Sequence, residues 1–90
     1  SPNNWLTSLQ ATGYSMTPNF RPDTTEGYSI VVAKDVEVIE FTGKTANRRA
    51  TVKGLGQVRL TPNAVNEVNI EVTAEDGTVR IYKVIVAKEG

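Results

Sequence analysis

Period-two alternation of apolar and polar residues leaves few folds open to this chain. Val68, Ile70, Val72 and Ala74 are separated by Asn69, Glu71 and Thr73. Side chains of an extended strand point alternately to opposite faces, so this run buries one face and wets the other. It stops at Glu75-Asp76-Gly77 and resumes from Thr78 to Val86. Asp-Gly supplies the positive φ angles of a tight hairpin turn, which predicts a β-hairpin at this point. In its second arm Tyr82, Val84 and Val86 share a face that Arg80 interrupts at its beginning. Lys83 marks the opposite face, yet Val79, Ile81 and Ile85 lie there too, so this strand is expected to be covered on both sides or to pair with something.

The same rhythm recurs upstream. Tyr28, Ile30 and Val32 alternate with Ser29 and Val31, and Ile39 with Phe41 follows a turn near Lys34-Asp35. Ala50 with Val52, then Val58 with Leu60, complete the expected interior. Turn-forming residues break these runs every eight to twelve positions or so, the spacing of a sandwich or barrel. Leu6 and Leu9 are three apart, which suits a helical turn or an irregular edge strand, while Gly13, Pro18 and Pro22 bar a long helix from Leu9 to Phe20. No amphipathic helical window and no internal repeat is present. The expectation is an all-β, two-sheet antiparallel sandwich of about seven strands, one domain over residues 1–90 cut from a longer chain. With 39% hydrophobic and 22% charged residues, ninety residues can close one core without disulfides or a structural metal.

Ten Lys and Arg balance ten Asp and Glu, so no net field draws nucleic acid or an anionic membrane. No apolar stretch is long enough to span a bilayer, and Ser1, Pro2, Asn3 and Asn4 do not begin a signal peptide, which would then lie outside this sequence. The chain has neither His nor Cys, which removes the usual proton carrier, the thiolate nucleophile and thiolate metal sites. Nothing ties Ser8, Ser15 or Ser29 to an activating base, and Glu26, Glu37, Glu40, Glu67 and Glu71 fall at polar strand positions rather than as a catalytic pair. Asp23, Asp35 and Asp76 stand in separate turns, without the clustered oxygens that calcium requires. Gly54-Leu55-Gly56 reads as a bend, since no helix follows to complete a phosphate loop. The expectation is a non-enzyme that needs no metal and no cofactor.

Two sets of residues remain as candidate sites. Trp5 and Tyr14, in the irregular opening segment, offer flat rings on which a glycan could stack; the competing reading is that Trp5 closes one end of the core. Phe20, Tyr28, Phe41 and Tyr82 read as interior. Lys44, Arg48, Arg49 and Lys53 gather around Thr45-Ala46-Asn47, either as a solvated face or as a basic patch that contacts anionic wall polymer.

The order of residues resembles the cadherin-like β-sandwich modules repeated in bacterial surface proteins. The shared pattern is Leu6 and Leu9, Gly13, Phe20-Arg21-Pro22, Tyr28 with Ile30 and Val32, Ala50-Thr51-Val52 with Gly54, and Val58 with Leu60. It closes with Asn66, Asp76-Gly77, Tyr82, Val84 and Val86. One position departs: the family usually has Gly where this chain has Ala64, so Asn63 or Asn66 is the expected left-handed residue of that loop. The resemblance implies an immunoglobulin- or cadherin-like sandwich acting as a non-catalytic, extracellular spacer or protein-interaction module. Its expected partners are neighbouring domains of the parent chain and cell-wall or extracellular glycan or protein, and the domain itself is expected to be monomeric. The alternative is a carbohydrate-binding module using Trp5 and Tyr14. The residues also accommodate a sandwich that works in the cytosol or a phage tail.

Overall fold

A computed structural model describes residues 4–62 and 65–89. Seven strands form, and the described residues contain no helix: β1 Leu6–Ala11, β2 Tyr28–Val32, β3 Val38–Thr45, β4 Thr51–Lys53, β5 Gly56–Arg59, β6 Val65–Thr73 and β7 Val79–Lys88. They make two sheets, one ordered β1-β3-β5 and the other β2-β7-β6-β4. The expected sandwich is therefore present. The helical alternative for Leu6 and Leu9 gives way to β1, an edge strand whose register on β3 shifts between Leu6 and Ser8. That bulge is the reason a three-residue spacing buries both leucines, because the extra residue returns Leu9 to the inner face.

The sandwich is antiparallel with one exception: β2 runs parallel to β7, Tyr28 opposite Val84 and Val32 opposite Lys88. Parallel neighbours need a long crossover, and the chain between Val32 and Val79 supplies one by building β3 to β6. Alternation cannot tell the two directions apart, since both place every second side chain inward.

The inward residues form one buried cluster that includes Tyr28, Ile30, Val32, Ile39, Phe41, Leu60, Val68, Ile70, Val72, Tyr82, Val84 and Val86. Ala50, Val52 and Val58 are only partly buried and pack against its rim. The outer face of β7 is not covered: Val79 is 50% and Ile81 40% exposed, and Ile85 is partly buried. β7 takes the other option, pairing along both edges with β2 and β6.

The β6–β7 hairpin forms where expected but turns differently. Only Gly77 has a positive φ, at 91°, and Gly77 N–H donates to the Ala74 carbonyl at 2.9 Å while Ala74 N–H donates to that of Thr78 at 2.8 Å. This is the longer hairpin loop that ends on a left-handed glycine, not a two-residue turn with Asp76 also left-handed. Asp76 caps it instead, its Oδ1 accepting from Thr78 N–H at 3.0 Å and from Thr78 Oγ1 at 2.7 Å. Asn63 and Ala64 lie outside the described residues. Asn66 is not left-handed, since no described residue except glycine has a positive φ; it belongs to β6, and its Oδ1 accepts from Thr61 N–H at 2.9 Å.

Two buried hydroxyls hold the connection from β1 to β2. Tyr82 Oη donates to the Pro22 carbonyl at 2.7 Å and accepts from Leu6 N–H at 3.1 Å. Tyr28 Oη accepts from Arg21 N–H at 3.0 Å and faces the Thr24 carbonyl at 2.7 Å. The Phe20 ring packs against both tyrosines, with centroids 5.7 and 5.4 Å away. A segment with no ladder of its own is thereby given hydrogen-bond partners and an apolar anchor.

Candidate functional site

The two candidate aromatics are not brought together. Trp5 precedes β1 and Tyr14 follows it, bridged to Ala11. Six residues of strand, at ~3.3 Å each, put about 20 Å between Trp5 and Ala11.

Trp5 is partly buried, and the Arg80 guanidinium lies over its ring at 5.0 Å from the centroid. Arg80 Nε also donates to Asn4 Oδ1 at 3.2 Å, Asn4 Nδ2 donates to Thr78 Oγ1 at 3.3 Å, and the Trp5 carbonyl accepts from Ala46 N–H at 2.7 Å. Trp5 Nε1 is buried without a hydrogen-bond partner among the described residues. Arg80, which interrupts the inward face of β7, is thus explained: at the start of the strand the inner row meets Trp5, and a guanidinium stacks there with its charge still near water.

Tyr14 lines a shallow, open cleft of about 220 Å³ together with Leu9, Met16, Phe20 and the uncharged polar side chains of Gln10, Ser15 and Asn19. This grouping was not legible from the sequence. It arises because the chain after β1 doubles back, Tyr14 N–H donating to the Ala11 carbonyl at 3.1 Å and Thr17 pairing with Ser29. Its accessible lining is mostly polar and includes no charged side chain, a surface suited to a polar, uncharged ligand.

The basic set spans the connection between the sheets. Lys44 is on β3, Arg48 and Arg49 are in the turn after it, and Lys53 is on β4, all exposed. Acidic residues sit close to two of them: Arg49 Nη1 is 3.1 Å from Glu75 Oε2, and Lys53 stands opposite Glu71 on β6. The Arg49–Glu75 pair is open to solvent and carries little energy, but the two acidic residues divide the positive potential of the patch.

Among the described residues no three His, Cys, Asp or Glu side chains are placed to share a metal ion. Asp23 lies 3.5 Å from Arg21 Nε, and Asp76 is held by Thr78, whose backbone and hydroxyl hydrogen bonds lower its carboxyl below the usual 3.8. No helix of the described residues is long and apolar enough to cross a membrane. The outer face of the four-stranded sheet exposes Val31, Val65, Val79 and Ile81, with Val31 and Val65 flanking Ala87 in one row across β2, β7 and β6.

The described ends of the chain are far apart. Asn4 touches Thr78 and Arg80 at the start of β7, while Glu89 N–H donates to the Val32 carbonyl at its end. Ten strand residues at ~3.3 Å span about 33 Å. The backbone measures 42 × 21 × 18 Å, so a strand of that length can lie only along the longest axis.

A family model described as a cadherin-like beta sandwich domain matches residues 6–89. No curated protein and no solved structure matches the chain.

Proposed function

The chain belongs to the cadherin-like β-sandwich family, and from that membership we propose that it is a non-catalytic extracellular module that spaces or docks other parts of a larger surface or secreted protein. The observation that carries the reading is the placement of Asn4 and Glu89 at opposite poles of an elongated body. A module inserted through such ends lengthens its parent by its own long axis, whereas one with adjacent ends would hang to the side. Absence of His and Cys from the whole chain, and a core that among the described residues is made of apolar and tyrosine side chains, accord with a structural role. The exposed apolar row on β2, β7 and β6 offers neighbouring domains a surface to pack on.

Small-angle scattering on two and three directly fused copies tests this. The maximum dimension is expected to rise by nearly the 42 Å long axis with each copy. Growth at or below the 21 Å width would mean that copies fold back on one another, and would overturn the spacer reading. Protease shaving of intact cells that make the full parent chain tests the extracellular setting, which requires the module to be cleaved or released.

A second reading is favoured by the cleft beside Tyr14: a neutral glycan stacked on that ring and held by Gln10, Ser15 and Asn19. It leaves out Trp5, one ring face of which is covered by Arg80 and which lies at the far end of β1. Chemical-shift changes on titration with neutral oligosaccharides should cluster at these residues and vanish in Tyr14→Ala; shifts scattered over the surface would dismiss it.

A further inference from the structure

We infer that this module is a load-bearing link, in which tension along the long axis shears both sheets at once and passes directly from the first strand to the last. The inference rests on the spacer reading for its biological use, while the mechanical property stands on geometry alone. Leu6 at the start of β1 and Tyr82 near the start of β7 touch across the sandwich, so β1 and β7 begin at the same pole and lie in different sheets. Pulling Asn4 and Glu89 apart drives β1 toward one pole along β3, and β7 toward the other along β2 and β6.

Ladder hydrogen bonds lie across the strands, so a force along the strands loads all rungs of each ladder together. Peeling would open them one after another. None of the ladders that carry this load is placed to peel.

Four contacts then tie the incoming segment to the outgoing strand. Asn4 bonds Thr78 and Arg80, Trp5 lies under the Arg80 guanidinium, and Leu6 N–H donates to Tyr82 Oη. The last of these is shielded, both Leu6 and Tyr82 being fully buried, so water does not compete for it. Part of the load thus reaches the β7 backbone through side chains, without crossing the rest of the core. The unexpected Arg80 on an inward strand position is the centre of this strap, since it serves Asn4 and Trp5 together.

Constant-force unfolding of single molecules tests the inference. The chain contains no cysteine, so introduced thiols give unique attachment points. One geometry pulls on handles fused to the two ends; the other pulls Val65→Cys against the C-terminal handle. Val65 is exposed and faces Ala87 at the open end of the β6–β7 ladder, so the second geometry peels that ladder. At equal force the end-to-end lifetime should be longer by at least about tenfold, a modest difference in barrier. Arg80→Ala should shorten the end-to-end lifetime by about three- to tenfold and leave the peeling lifetime unchanged. Asn4→Ala, which disturbs no buried side chain, should act in the same direction more weakly. Equal lifetimes in the two geometries, or an Arg80→Ala effect of equal size in both, would overturn the load-bearing assignment. Fused copies that extend in scattering yet show equal lifetimes would leave a passive spacer. Copies that fold back while the lifetime gap persists would remove the spacer reading and uphold the mechanical one.

Discussion

Replacing Tyr82 with Phe removes a single oxygen, and the structure assigns that oxygen two tasks. It donates to the Pro22 carbonyl at 2.7 Å and accepts from Leu6 N–H at 3.1 Å, joining the β1–β2 connection and the first strand to β7. In Tyr82→Phe the ring still fills its place beside Phe20, so the apolar contribution is nearly unchanged. The Leu6 N–H, on a fully buried residue, is left without its partner. A net hydrogen bond is worth about 0.5–1.5 kcal/mol and a buried donor left unsatisfied costs about 1–3, so a loss of about 2–3 kcal/mol follows. A chain of this length has roughly 5–13 kcal/mol in total, and its melting temperature should fall by roughly 10–20 °C.

Urea unfolding should show a lower midpoint with an unchanged slope, because the surface exposed on unfolding is the same. A loss below about 0.5 kcal/mol, the range of an ordinary surface substitution, would refute the assigned role. A pH series adds an independent check. Burial, partly opposed by the Leu6 N–H hydrogen bond, raises the Tyr82 hydroxyl above its usual 10.0. The folded state therefore holds this proton more tightly than the unfolded state. Its stabilisation is full below pH 10 and is lost as pH rises from there through the raised value. Tyr82→Phe lacks this component and should lose less stability across that alkaline window than the parent chain.

Gly54→Ala should destabilise by about 2–4 kcal/mol, since φ is +102° there and an added Cβ would run into the Asn69 backbone carbonyl. Gly77→Ala, with φ +91° and open space around it, should cost only about 1–2 kcal/mol; the reverse ranking in urea midpoints would contradict the loop geometry. Ile70→Ala, fully buried in mid-β6, should lose about 2–5 kcal/mol by the same assay. Acrylamide quenching of the Trp5 fluorescence should be intermediate in the parent chain and stronger in Arg80→Ala, which uncovers one ring face. Arg48→Glu with Arg49→Glu should leave retention on anionic wall polymer almost unchanged, because Glu75 and Glu71 already divide the patch; complete loss would show that the patch binds despite them.

Inward and outward positions were readable because strand side chains alternate. Val68, Ile70, Val72, Tyr82, Val84 and Val86 all occupy the buried positions that alternation assigns. The hairpin at Asp76-Gly77 was readable in place but not in type, since only Gly77 adopts the positive φ that either turn would use. Leu6 and Leu9 defeated the period because a bulge adds a residue, and a bulge depends on the partner strand rather than on local sequence. Val79, Ile81 and Ile85 left two options open, and the structure takes one: the outer face stays uncovered while β7 pairs along both edges.

The cadherin-like pattern, including Phe20-Arg21-Pro22 and the closing Tyr82-x-Val84-x-Val86, was carried by the chain itself, and the family match over residues 6–89 agrees with it. The sequence by itself determined the approximate strand number, the buried face of the regularly alternating strands and the family, because these follow from local periodicity and order. Only the tertiary structure decided that β2 runs parallel to β7, that Trp5 and Tyr14 lie at opposite ends of β1, and that Arg80 grips Asn4 and Trp5. Those facts depend on which strands become neighbours across long separations in the chain, and a pattern of period two carries no information about its partners.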